Sequence, residues 1–198
     1  MDRAGLAAGK KNAARLRATI GFIDESGMLM APLVRRSWSL RGHTPLLRQR
    51  GRCYQKVSVI AALCIAPTRD RLSLYFRLHP DANVDAERAM DFLEHLQRQL
   101  RTPIVLVWDR FQAHKGALVN ECVPPHSAHL EYLPPYAPEL NPVEYLWGWL
   151  KTNPLANDPI ADLQLLTHRT RCAARSAQRR QDLLRGFFRH TGLSLRLR

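Results

Sequence analysis

Five consecutive apolar residues, Ile104-Val-Leu-Val-Trp108, stand between Thr102-Pro103 and Asp109. A run this short with no polar position reads as a strand buried on both faces, the kind found where helices cover a sheet. Ahead of it, Ala86, Met90, Leu93, Leu96 and Leu100 recur every three or four residues, which predicts an amphipathic helix with Asn83 as its N-cap and Asp85 and Glu87 in its first turn. Behind it come a polar stretch of helical character, Phe111–Glu121, and a further short strand around His129–Leu133. Strand–helix–strand alternation requires a parallel pairing and a right-handed crossover.

The flanking segments complete the layout. Ala18–Asp24 is an apolar run ended by Ser26-Gly27, and Val57–Ala66 with Arg71–Leu78 reads as a hairpin turning through Pro67–Asp70. Between them, a short strand is expected around Trp38. Pro134-Pro-Tyr-Ala-Pro138 forms a stiff extended linker, after which Asn141 caps a helix with Pro142 at its first position and Val143, Leu146, Trp147 and Leu150 on its apolar side. Trp147 and Trp149 are two apart and so cannot both face the core. Residues 160–180 resume a helical pattern, and Leu183, Leu184, Phe187 and Phe188 predict a short helix packing back. The expectation is an α/β core whose mixed sheet is opened by an antiparallel hairpin and flanked by helices. Three segments follow: a basic linker (1–17), the core (18–153) and an arginine-rich helical C-terminal extension (154–198).

The 198 residues carry 30 Lys and Arg against 17 Asp and Glu, and the excess sits at the two ends. From Arg169 to Arg198 there are nine arginines and one acid, Asp182. Charge concentrated in this way favours a phosphate-bearing partner, because Lys and Arg that displace counterions supply the sequence-independent affinity for nucleic acid. An acidic protein partner is the alternative. The longest apolar windows, Val57–Pro67 and Ile104–Trp108, fall far short of the ~20 residues of a membrane span, and the first twenty residues lack a signal-peptide pattern. A cytoplasmic, nucleoid-associated protein is expected. The four cysteines show no C-x-x-C spacing, so free thiols are expected rather than disulfides or structural zinc. His126 and His129, in an apparent loop beside Pro124-Pro125, read as solvated or packed.

Asp24 and Asp109 each close an apolar run. A carboxylate there is costly unless it is solvated at the strand's exit, paired, or bound to a cation. The carboxyl ends of strands in open α/β sheets are where ligand crevices form, so two adjacent strands would bring both acids to one crevice. Either could instead start a turn or cap a helix. Glu25 rivals Asp24, since alternation points neighbours to opposite faces and spacing does not say which faces the crevice. Glu144, at the third position of its helix, could simply reach back to Asn141 as in a capping box. Its setting, Leu-Pro-Pro-Tyr-Ala-Pro-Glu-Leu-Asn-Pro-Val-Glu, is far more specified than a cap needs.

Phe22-Ile-Asp-Glu-Ser-Gly27, Val107-Trp-Asp109 followed by His114-Lys115, and the block LPPYAPELNPVEYLW from Leu133 to Trp147 together resemble the DDE transposases of the mariner superfamily, in their bacterial insertion-sequence branch, insertion-sequence family 630. The 34 residues between Asp109 and Glu144 resemble that superfamily's interval. The resemblance covers about residues 18–190 and implies an RNase H-like fold with Asp24, Asp109 and Glu144 as catalytic and metal-binding triad. It favours Asp24 over Glu25. Where many relatives carry Asn after the second aspartate, this chain has Arg110.

What the resemblance implies is in-line displacement at phosphorus assisted by two Mg²⁺ ions, with Mn²⁺ able to substitute. Asp24 would bridge both ions and Asp109 and Glu144 would each hold one. Water would cleave a strand, and the element's 3′-hydroxyl would carry out strand transfer. Arg110, His114, Lys115 and Lys151 are candidate DNA contacts. The implied partners are double-stranded DNA, both transposon ends and target, a second copy on paired ends, and an upstream helix-turn-helix half, since residues 1–17 are too short to be one. Two rival readings stand beside this one: a catalytically silent remnant that only binds DNA, and an RNase H-fold nuclease outside transposition.

Overall fold

The computed structural model describes residues 13, 16–31, 33–47, 55–109, 128–135, 137–193 and 197. Five strands form one mixed sheet: β1 (Thr19–Leu29), β2 (Lys56–Ile65), β3 (Leu72–Pro80), β4 (Ile104–Trp108) and β5 (Ala128–Tyr132), in the spatial order β3-β2-β1-β4-β5. β1, β2 and β3 pair antiparallel, while β4 runs parallel to β1 and β5 parallel to β4. Helix α1 (Ala86–Leu100) connects β3 to β4; a 3₁₀ turn (Pro138–Leu140) leads into α2 (Pro142–Thr152), α3 (Leu163–Gln178) and α4 (Gln181–His190).

The strand period divides the interior into two layers. Ile23, Ile60, Ala62, Leu106 and Trp108 face α1, burying Ala89, Phe92, Leu93 and Leu96. The alternate positions Ile20, Phe22, Val59, Leu63, Val105 and Val107 face the other way, onto Val143, Leu146 and Trp147 of α2, Ala173 and Ala177 of α3, and Leu184 and Phe188 of α4. The C-terminal helices are thus part of the main core. Phe188 meets Phe22 edge to face, with ring centroids 5.6 Å apart. Phe188→Ala should lower unfolding free energy by about 3–5 kcal/mol in a urea titration, because both rings are fully enclosed. A loss under about 1 kcal/mol would show that α4 is only appended.

Three local expectations need correction. β1 does not stop at Asp24 but runs on to Leu29, since β2 partners it along its whole length from Ile20–Ile65 to Leu29–Lys56. No strand forms at Trp38: residues 33–47 contain none, and the Trp38 side chain is 100% exposed. The base of this segment is held where Asn157 donates to the Arg35 carbonyl (2.9 Å) and accepts from the Arg35 N–H (2.8 Å). The N-cap of α1 is Asp85, whose carboxylate accepts from the Arg88 N–H at 2.9 Å. Its charge suits the helix N-terminus better than the neutral Asn83 and also engages the Arg88 guanidinium. The expected helix Phe111–Glu121 lies outside the described residues.

Candidate active site

The parallel ladder of β1 and β4 ends at the pair Phe22–Val107. Two residues past that pair stand Asp24, within β1, and Asp109, one residue beyond the end of β4. Asp24 has the parity of residues facing α2, because Phe22 lies in that layer and side chains alternate. Glu25 has the opposite parity, so the geometry separates the two neighbours: Asp24 is the acid turned toward α2.

α2 is fastened along β1 by polar contacts. Asn141 caps the helix by accepting from the Val143 N–H (3.1 Å) and donates its amide to the Ile23 carbonyl (3.1 Å). Trp147 donates its indole N–H to Asp24 Oδ2 at 2.7 Å. Lys151 donates Nζ to Ser26 Oγ at 2.8 Å. Trp147 is buried and Trp149 only half-buried, the division expected from their spacing. Glu144 is exposed on the first turn of α2. The Asn141 N–H donates to the Pro138 carbonyl (2.9 Å), so that backbone group is satisfied by the 3₁₀ turn.

Asp24 is only 6% exposed. Burial pushes its carboxyl up to about 8, reinforced by Glu144, Glu25 and Asp109 and opposed by the Trp147 hydrogen bond. Loss of solvation also raises Glu144, which Lys151 counteracts and Asp109 reinforces. The three acids therefore feel one another across the end of the β1–β4 ladder. Among the described residues no three acidic, histidine or cysteine groups close into a finished metal shell. The donor chemistry nonetheless suits a hard divalent cation: three carboxylates gathered at one end of the sheet, with Asp24 destabilised as an anion by burial and by its acidic neighbours. Arg110, His114 and Lys115 lie outside the described residues. Sequence reasoning missed Trp147 as a partner of Asp24, since an indole on an apolar helix face reads only as core.

Residues 19–167 match the profile of the DDE superfamily endonucleases. The chain belongs to that family. Among solved structures, the pre-cleavage Mos1 transpososome superposes with a TM-score of 0.64 at 15% identity, covering 97% of this chain and 60% of that one. The Mos1 mariner paired-end complex with Mn gives 0.65 at 15% identity, covering 96% and 56%. The Mos1 transposase catalytic domain with Raltegravir and Mg gives 0.57 at 13% identity, covering 96% and 85%. At these identities the likeness establishes the fold, which is RNase H-like. The chain spans about 60% of the length of the Mos1 transpososome chain. No curated protein matches the sequence.

Proposed function

We propose that this chain is the catalytic part of a transposase of the bacterial insertion-sequence branch, insertion-sequence family 630, and that it cleaves and joins DNA strands. The observation that carries the reading is the juxtaposition just described, in which Asp24, Asp109 and Glu144 come from β1, the end of β4 and α2 to one end of the sheet within a DDE endonuclease fold. Asp24 would hold both ions, with Asp109 and Glu144 holding one each. Two Mg²⁺ or Mn²⁺ ions held there would lower the pKa of the attacking oxygen and stabilise charge on the leaving one. The protein's own part is to gather the acids and seal one flank with Trp147. Two of the similar solved structures are described as Mos1 paired-end complexes with Mn and with Mg, and a third as a paired-end complex with the left transposon end. Double-stranded DNA as end and target, a second copy on paired ends and an upstream helix-turn-helix half follow by analogy. So does a place at the nucleoid. Arg110, His114, Lys115 and Lys151 remain proposed DNA contacts, with the Lys151 ammonium also bonded to Ser26.

The test is incubation of the purified chain with a 3′-hydroxyl oligonucleotide and a plasmid target in Mg²⁺ or Mn²⁺. Metal-dependent joining supports the transposase reading, cleavage without joining favours a nuclease, and DNA binding with neither favours the silent remnant. Sequencing both flanks of the gene for inverted repeats bordered by TA, and for an overlapping upstream frame, tests the mobile-element context.

The basic surface has its own prediction. Arg171 and Arg175 on α3 and Arg179 at its C-cap are exposed at four-residue spacing, which aligns them along one face roughly 6 Å apart per step. Replacing all three with Gln should flatten the plot of log affinity against log salt by about 2 to 3, since each phosphate contact contributes about 0.9. An unchanged slope would take this face out of DNA binding.

A further inference from the structure

Resting on the reading above, we propose that Trp147 is a positioning residue for metal binding: its indole N–H fixes the orientation of the Asp24 carboxylate, so that α2 carries one metal ligand, Glu144, and aims a second.

The final torsion of an aspartate is broad, so a carboxylate at the end of a ladder, with no partner, samples many orientations. Asp24 is bonded through Oδ2 to Trp147 at 2.7 Å, a length typical of a charge-assisted N–H···O contact. An indole offers one donor and no acceptor, so the contact serves the ionised acid or the carbonyl oxygen of the neutral one, and it opposes the rise that burial imposes on Asp24. The ring cannot swing away, because Trp147 lies in the buried layer with Phe22, Leu146 and Leu150.

The donor is itself held in place. Six residues earlier on the same helix, Asn141 grips the Ile23 carbonyl, the residue before Asp24, while capping α2. One turn further on, Lys151 bonds Ser26. Trp147 therefore sits at the middle of three contacts that bind α2 to residues 23, 24 and 26 of β1. Glu144 lies one turn before Trp147, so any movement of α2 displaces one acid and the orientation of the other together. A hydrogen bond from a neighbouring group to a metal-binding carboxylate typically tunes affinity 10- to 100-fold.

The test uses Mn²⁺ as the probe, counted first by the electron paramagnetic resonance of the free ion without DNA, and then through the metal dependence of cleavage. Trp147→Phe keeps a ring in the core and removes the N–H. It should weaken Mn²⁺ binding at least tenfold and raise the metal concentration for half-maximal cleavage by the same factor, with most of the maximal rate recovered at saturating Mn²⁺. Trp149→Phe, on the same helix but without an Asp24 contact, should bind as the wild type does. Should Trp147→Phe fail to fold, the wild-type chain still decides: its Trp147 indole proton, assigned by its displacement in Asp24→Asn, should shift on titration with Mg²⁺. Wild-type Mn²⁺ affinity in Trp147→Phe, or an indole resonance indifferent to Mg²⁺ in a chain that binds the ion, would overturn the positioning role alone. Failure of the wild-type chain to bind Mn²⁺ would overturn the catalytic reading and this inference with it.

Discussion

Asp109→Asn is expected to cut metal-dependent strand cleavage by about a thousandfold or more, equivalent to about 4 kcal/mol of transition-state stabilisation. The substitution keeps the size of the side chain and removes its charge. Asp109 lies one residue beyond β4 and is only half-buried, so the strand's five buried residues and its pairing with β1 and β5 are undisturbed. Melting temperature and DNA affinity should therefore stay close to wild type. Single-turnover cleavage of a labelled duplex, alongside a filter-binding titration, reads both quantities. A variant that still cuts would remove Asp109 from the triad.

Asp24→Asn should abolish cleavage too, but unlike Asp109→Asn it should raise stability. The folded carboxyl lies at about 8, raised chiefly by burial and by Glu144 beside it, against about 3.9 in an unfolded chain. Between those values the unfolded chain has released a proton that the folded one retains, so in the absence of metal stability falls as pH rises from about 4 to about 8. The loss amounts to several kcal/mol. A neutral amide at position 24 carries no such penalty, so Asp24→Asn should unfold at higher urea than wild type at pH 8 in chelator, and differ little from it near pH 4. Mg²⁺ should raise the wild-type midpoint at pH 8, through binding to the folded state alone, and leave that of Asp24→Asn where it is. Equal pH dependence in the two proteins would show that Asp24 is solvated rather than enclosed.

Much of this arrangement could be read from the chain because it depends on local signals. The β2–β3 hairpin announces itself by two apolar runs around Pro67–Asp70, α2 by Asn141-Pro142, and β4 by five residues with nothing polar among them. Asp24 and Asp109 could be marked as acids closing apolar runs, where ligand crevices form if the strands are neighbours; that β1 and β4 pair in parallel is a long-range fact that local signals do not carry. Other features depended on partners remote in sequence. Nothing near Ser26-Gly27 reveals that Lys56–Ile65 will extend β1 to Leu29. Nothing near Trp38 reveals that the ladder will pass it by. The Trp147–Asp24 contact joins residues 123 apart, and a buried indole shows no outward sign in sequence of whether its N–H meets a carboxylate or a backbone carbonyl. Choosing between Asp24 and Glu25 likewise needed to know which layer Phe22 joins.

One helix serves two purposes at once. The inward residues of α3, Leu166, Ala173 and Ala177, close the sheet, while its outward side presents Arg171 and Arg175, with Arg179 following at the C-cap. The inward packing therefore fixes the surface on which those arginines stand. A chain ending ahead of α3 would lose the cover of the sheet and the arginines together, whereas substituting the arginines alone would leave that cover in place.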